Sequence, residues 1–464
     1  MVAAQKPLIN LLRGWPNPKL LPAPQLKTAS QSVLSNPDVF VPGLQYGPDP
    51  GYEPLREQIA SWLHKYYLPL EQISPERICI TGGASQNLAC ILQVFTDPVY
   101  TRNIWMVAPT YFLACRIFED SGFHGRLRAV PEDKGGIDLD FLRRGLRESE
   151  KRAELEGNNV PKLKPNRPWA RVYRHIIYAV PTFSNPSSIT MSLQHREELV
   201  RLAREFDALI ITDDVYDHLQ WAVSVSAHSS GNRDADHAIL PRIVDVDRRL
   251  EGGAERSGSH GFGNAVSNGS FSKIVAPGSR TGWAEGTPKF AFGLSQTGSS
   301  RSGGAPSQLA STFIADMLAS GELQKHIRNV LRPAYAARYR RMLLAIERYL
   351  LPLGVTMAQP DRDVVGGYFI WFDLPNGLDA DLVARRAMEM ENVIIAEGSL
   401  FEVSNDAKGA RFPSAVRVCF SWEEEDCLAE GIERLANVVR CMLNGECSDF
   451  VPSDNNGSSR DQHR

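Results

Sequence analysis

Short apolar runs alternate with helix-spaced apolar positions through the first two thirds of the chain. Ile78–Ile80, Ile104–Val107, Ile176–Val180 and Ala208–Ile211 read as buried strands, and Asn87–Phe95 reads as a helix between the first two. From Leu193 onward the apolar residues Leu199, Leu202, Ala203 and Phe206 recur at helical spacing, which predicts a helix feeding the strand that follows. This rhythm predicts an α/β fold, a mostly parallel sheet flanked by helices. Ser270–Ser272 and Gly282–Ala284, built of small or apolar residues, are expected to complete the sheet. Three stretches break the pattern and are expected to be surface loops or disorder: the charged segment Arg147–Arg167, the Gly/Ser-rich segment Glu251–Asn268 and the tail Gly445–Arg464. After about residue 330, a long helical stretch at Leu331–Leu351 and strands at Gly367–Phe372, Val393–Ala396 and Val416–Phe420 predict a second, smaller α/β domain.

The chain has 464 residues, which at about 150 per domain implies roughly three domain-sized units, or one large unit with a satellite. With 43% hydrophobic and 23% charged residues, the composition excludes collagen, coiled coil and wholesale disorder. The 51 Lys and Arg nearly balance 54 Asp and Glu, so no global field favours nucleic acid or an anionic membrane, and a partner must be recognised at a local site. No run reaches the roughly 18 apolar residues of a membrane span. Met1–Pro7 lack an apolar signal core and Asp461–Arg464 is not a peroxisomal tripeptide, so the expected compartment is the cytoplasm. Seven cysteines without a CxxC pair predict reduced core thiols, and ten histidines without HExxH spacing predict no bound metal.

Thr81-Gly82-Gly83-Ala84-Ser85-Gln86 follows a predicted strand and opens a predicted helix, so free backbone N–H groups and a partial positive charge converge on one point, as a phosphate requires. A plain strand-to-helix turn would use the same glycines, and the spacing is neither GxGxxG nor a Walker loop, which disfavours dinucleotides and ATP. Asp213, at a strand end three residues before Tyr216, can hold a cationic partner or cap a turn. The most informative stretch runs from Ser270 to Trp283. There Lys273 follows the hydroxyls of Ser270 and Ser272 and precedes Arg280 by seven residues, setting an amine nucleophile beside an anion clamp. Burial readily makes a lysine amine reactive, whereas arginine stays charged and grips phosphate or carboxylate with two N–H groups.

Taken in order, Leu44-Gln45-Tyr46-Gly47, Gly83-Ala84-Ser85-Gln86, Pro109-Thr110-Tyr111, Pro181-Thr182-Phe183-Ser184-Asn185-Pro186, Asp213 with Tyr216, Ser270 to Trp283, Gly366-Gly367 and Arg417-Val418-Cys419-Phe420-Ser421 form a recurring set. The set resembles the class I/II aminotransferases of the pyridoxal-phosphate fold type I superfamily, and within them the aminoadipate and kynurenine aminotransferases. The resemblance covers about Ile9 to Val439. It implies pyridoxal 5'-phosphate as cofactor, with Lys273 as the lysine that joins its aldehyde and later moves the proton from the substrate Cα. Asp213 resembles the carboxylate that keeps the pyridine nitrogen protonated, Asn185 and Tyr216 the donors to the phenolate oxygen, and Tyr111 the ring stacked on the pyridine. The phosphate then falls to the N–H groups of Ala84 and Ser85, the side chains of Ser85, Gln86, Ser270 and Ser272, and Arg280. Tyr46 resembles a residue reaching the neighbouring subunit's phosphate, which implies a homodimer with shared sites. Arg417 resembles the fork that binds the substrate α-carboxylate, with Asn185, Gly14 and Trp15 also facing substrate.

The resemblance implies transfer of the amino group of an aromatic, aliphatic or aminoadipate-like L-amino acid to a 2-oxo acid such as 2-oxoglutarate. A lyase on the same fold, cleaving a C–S or other β or γ bond, would use the same residues and stays open. A regulator with a dead cofactor domain would not need Lys273, Asp213, Arg280 and Arg417 together, and no DNA-binding domain is expected ahead of the cofactor region. The implied division is 1–44 as an N-terminal arm and part of the small domain, 45–330 as the large cofactor domain, 331–445 as the small domain and 446–464 as a disordered tail. Two positions depart from the family: the expected Asn-Pro-x-Gly turn reads Asn185-Pro186-Ser187-Ser188, and a late Pro-Gly reads Glu397-Gly398. A turn that needs a positive φ tolerates serine less well than glycine.

Overall fold

The structure is a computed structural model that describes residues 6–223, 236–358, 362–375 and 377–446. The expectations for residues 447–464 lie outside the described residues. In chain order the strands are β1 (Ile9–Asn10), β2 (Ile78–Thr81), β3 (Ile104–Ala108), β4 (Leu127–Pro131), β5 (His175–Ala179), β6 (Ala208–Asp213) and β7 (Gln220–Ala222). They continue as β8 (Ala265–Ser270), β9 (Gly282–Glu285), β10 (Val364–Gly366), β11 (Phe369–Asp373), β12 (Val393–Ile394), β13 (Ala396–Glu397) and β14 (Ala415–Cys419).

A seven-stranded sheet in the order β2-β9-β8-β6-β5-β3-β4 forms the centre. Only β9 runs antiparallel to its neighbours; the ladders among β8, β6, β5, β3 and β4 are parallel. Strands β3, β5 and β6 are largely apolar runs because both faces are covered. Side chains alternate between two cores: Ile104 and Met106, Ile176 and Tyr178, Leu209 and Ile211 enter one, while Trp105 and Val107, Ile177 and Ala179, Ala208 and Ile210 enter the other. The sheet's far side is held by charge as well. Buried Glu285 on β9 bridges Arg77 at 2.5 Å and Arg242 at 2.6 Å, so neither guanidinium is left unpaired.

A three-stranded antiparallel sheet, β11-β14-β13, lies with the helices Arg332–Tyr349 and Glu425–Leu443 in the C-terminal part. Its tie to the chain start is direct. β1 pairs in parallel with β12, Ile9 opposite Val393, so residues 9 and 10 join this part of the molecule.

Two sequence expectations are corrected. The charged stretch Arg147–Arg167 is not all loop, because Leu139–Glu156 is a helix. The Asp138 side chain accepts from Phe141 N, Gly157 ends it in the left-handed region, and Leu142, Leu146 and Ala153 form a narrow buried stripe that the solvated charges concealed. Glu251–Asn268 is not all loop either. Its last four residues are fully buried in β8, which begins at Ala265 and ends at Ser270, so the strand expected at Ser270–Ser272 lies earlier and Phe271–Lys273 is a 3-10 turn. Cys79, Cys90, Cys115 and Cys419 are buried and free, while Cys441 is disulfide-bonded. Among the described residues no helix is long and apolar enough to cross a membrane, and no group of three His, Cys, Asp or Glu could hold a metal ion.

Candidate active site

The carboxyl ends of β6 and β8 and the turn after β2 open into a cavity of about 1240 Å³. Ala84, Ser85, Tyr111, Asn185, Asp213, Tyr216, Ser270, Ser272, Lys273, Arg280 and Arg417 all line it, as do Gly14 and Trp15. Residues spread over about four hundred positions of sequence therefore meet at one site. Two sequence-derived residues do not line it. Gln86 turns its side chain back, accepting from Gly82 N at 3.0 Å and donating to Cys90 Sγ at 3.0 Å. Tyr46 is 87% exposed, away from this chain's cavity.

At one wall the helix Ala84–Phe95 starts after Gly83, and its first turn has no side-chain cap, so its N–H groups point unclaimed toward the cavity. Gly83 has φ +94°, and a Cβ there would meet Arg280 Nη2 at 2.8 Å; only glycine lets the arginine reach this turn. Arg280 donates to Gly82 O at 2.8 Å, and Ser270 Oγ lies 3.0 Å from Ser272 Oγ. N–H groups, hydroxyls and a guanidinium converge here, a donor set that fits a phosphate dianion.

Deeper in, Asp213 ends β6 opposite Asn268 of β8. Its Oδ2 accepts from Tyr178 at 2.6 Å and its Oδ1 from Asn268 Nδ2 at 2.6 Å. Burial raises the carboxyl to about 6, against the lowering effect of the tyrosine, so at neutral pH it is an anion held rigidly and ready for a cation. Asn268 also donates to Ala84 O at 3.0 Å and accepts from Asn87 at 2.8 Å, locking the carboxylate to the helix that forms the phosphate wall.

Lys273 stands across the cavity. Its Nζ donates to Gly14 O at 2.7 Å and lies 5.1 Å from the ring of Tyr368 and 5.9 Å from that of Tyr216. Desolvation lowers the amine to about 8, within reach of the neutral form a nucleophile needs. Arg417, on the central strand of the small sheet, donates to Asn185 Oδ1 at 2.8 Å and to Leu12 O at 2.5 Å, with its guanidinium 4.0 Å from the ring centre of Phe369 and 4.7 Å from that of Phe401. Its buried Nε has no partner.

The turn that carries Asn185 keeps the glycine conformation without the glycine. Ser188 sits at φ +62°, and its hydroxyl donates to Phe369 O at 2.7 Å. The bond, worth about 1 kcal/mol, offsets a left-handed penalty of similar size. Ser188→Ala is therefore expected to lower the thermal midpoint, while Ser188→Gly, which removes both the strain and the bond, stays near the parent; equal midpoints for all three would refute this balance.

Sequence reasoning missed Tyr178, Asn268, Phe369 and Phe401. Tyr178 carried a weak signal, a lone hydroxyl at the carboxyl end of an apolar run. Asn268 carried none, lying in a stretch dominated by glycine and serine.

A lysine amine, a buried carboxylate and a phosphate-type donor set at the strand ends of a mostly parallel sheet, beside a small domain, define a fold type I pyridoxal-phosphate enzyme. The chain belongs to the aminotransferase class I and II family, whose model matches residues 17–435. It is 35% identical to an uncharacterized protein of Saccharomyces cerevisiae over 93% of this chain and 97% of that one. It is 29% identical to aromatic-amino-acid aminotransferase 1 of Thermococcus litoralis over 93% of this chain and 88% of the relative. Among solved structures, kynurenine aminotransferase of Pyrococcus horikoshii superposes with a TM-score of 0.73 at 28% identity, covering 94% of this chain and 91% of that one. The protein is a pyridoxal-phosphate-dependent aminotransferase acting on amino acids and 2-oxo acids.

Proposed function

We propose that the enzyme carries the amino group of an aromatic, aliphatic or aminoadipate-like L-amino acid to a 2-oxo acid such as 2-oxoglutarate, as a cytoplasmic homodimer with shared sites. The observation that carries the reading is the convergence of Lys273 and Arg417 on the carbonyls of Gly14 and Leu12, two residues apart. A substrate with its α-carboxylate on Arg417 then presents its Cα to the amine. Pyridoxal phosphate, when bound, supplies a ring that accepts electrons from the breaking Cα bond.

The residues divide the work. Ala84, Ser85, Ser270, Ser272 and Arg280 hold the phosphate, and Asp213 keeps the proton on the ring nitrogen. Tyr111 covers one face of the ring, while Asn185 and Tyr216 donate to its oxygen. Lys273 would take the proton from the substrate Cα and deliver it two atoms away, to the carbon that carried the cofactor aldehyde. Tyr111, Trp15 and Phe369 give the cavity an aromatic lining suited to a bulky donor. Leu44 and Tyr46, both more than half exposed, support a subunit contact at that edge, and Tyr46 would serve the partner's site. The domain division that fits this reading is residues 1–44 and 331–445 as the smaller part and 45–330 as the larger.

Mixing the loaded enzyme with a donor in the absence of any oxo acid tests the reaction class. One equivalent of oxo acid per site, with the cofactor band shifting once, is expected. Sustained ammonia or pyruvate release would instead make the protein a lyase. A donor screen with 2-oxoglutarate is expected to favour aromatic and long-chain amino acids; activity confined to aspartate or alanine would overturn the substrate reading.

A further inference from the structure

Arg13 lies between the two contact residues of the N-terminal segment. The carbonyl before it, of Leu12, meets the Arg417 fork, and the one after it, of Gly14, meets the Lys273 amine. Neighbouring Cα atoms are about 3.8 Å apart, so Arg13 starts within a residue's length of both reacting ends of the site. Its guanidinium sits in the corner of an edge-to-face pair of indoles, 4.6 Å from the ring centre of Trp15 and 4.9 Å from that of Trp422. The Nε is buried without a partner, and among the described residues no carboxylate pairs with the side chain.

Cation–π attraction holds the guanidinium near these rings but leaves its N–H groups without an acceptor. The in-plane N–H groups are what a carboxylate takes two at a time. Other arginines on the cavity wall are committed: Arg116 to Asp120 at 3.3 Å, Arg411 to Glu402, and Arg280 to Gly82 O. Arg385, on the helix Ala380–Glu391, is likewise without an ion pair among the described residues, but it does not adjoin the contact residues in the chain.

We propose that Arg13 receives the second carboxylate of dicarboxylic substrates and so sets the preference for a 2-oxo dicarboxylic acid as amino acceptor. The inference rests on the assignment of Arg417 to the α-carboxylate and Lys273 to the Cα. With the α-carboxylate fixed at Arg417, a chain lying along residues 12–14 brings its far end to the Arg13 edge, whereas a monocarboxylic acid leaves that edge to water. The two tryptophans keep the guanidinium in one orientation, which favours a planar acceptor over a diffuse charge.

The test compares 2-oxoglutarate with 2-oxopentanoate as acceptors for the parent enzyme and for Arg13→Met, Arg13→Lys and Arg385→Met. Arg13→Met is expected to lower kcat/KM for 2-oxoglutarate about 10- to 100-fold, mainly through KM, and to change 2-oxopentanoate by no more than about 2-fold, as loss of one charge-assisted pair requires. Arg13→Lys should fall between, because a point charge cannot reproduce the fork. Calorimetric titration with glutarate and with butyrate supplies a readout without turnover: the parent should prefer glutarate, and Arg13→Met should lose that preference. Equal losses for both acceptors, no loss for either, or a preference carried by Arg385 would overturn the proposal. If Arg13→Met does not fold, a parent enzyme that binds glutarate no better than butyrate overturns it. Arg417→Lys leaving both acceptors untouched would fault the α-carboxylate assignment instead, without bearing on Arg13.

Discussion

Lys273→Ala should transaminate at least about 10⁴-fold more slowly than the parent, since general-base transfer alone contributes about 10²–10⁴ and the covalent link to the cofactor is lost with it. The argument rests on position. The amine donates to the Gly14 carbonyl, and among the described residues no other side chain on the wall offers a nitrogen of comparable basicity. Arg417, lowered by burial to about 10, remains charged at working pH and cannot replace it. Circular dichroism and the thermal midpoint of the variant separate this loss from misfolding, since the side chain also touches the rings of Tyr216 and Tyr368. Borohydride treatment followed by peptide mapping checks the chemistry: the parent should carry reduced cofactor on the peptide holding Lys273, and the variant should carry none. A variant retaining more than about a hundredth of parental turnover would refute the role, because so small a loss falls below what removing a general base alone should cost.

Asp213→Asn should lower kcat about 10²–10³-fold while leaving most of the cofactor affinity, as removal of one preorganised electrostatic partner from a buried site does. Asparagine is nearly isosteric and can still accept from Asn268 and meet the Tyr178 hydroxyl, so the structural loss is small. What disappears is the negative charge. The parental carboxyl, raised to about 6 by burial, is anionic above that value and neutral below it. Before cofactor is added, the parent should therefore load it more slowly as pH falls through about 6, and the variant should show no such limb. Rapid-mixing absorbance across pH 5 to 8 separates the two, and a parental pH limb persisting in the variant would assign it to another group.

The sheet was legible because its strands are buried on both faces. Ile104–Ala108 and His175–Ala179 are near-continuous apolar runs, and the helix after Leu193 announces itself by spacing. β8 was not, because its inward side chains are polar and satisfied: Ser267 donates to Asp214, and Asn268 to Asp213. A hydrophobicity pattern cannot register a strand whose burial is balanced by hydrogen bonds. The site's chemistry was legible as an ordered set of short motifs, yet the spatial grouping was not. Nothing in the sequence says that Gln86 folds back on its own turn, or that Phe369 and Phe401 flank Arg417. Those contacts depend on where the small sheet meets the large one, a long-range property.

The segment from Leu12 to Gly14 touches the fork and the amine through its own backbone, and a carbonyl is a fair mimic of half a carboxylate. If Arg417 takes the α-carboxylate as proposed, an arriving acid displaces the Leu12 carbonyl from it, and a compound with a lone acid group and no amine should act as a competitive inhibitor.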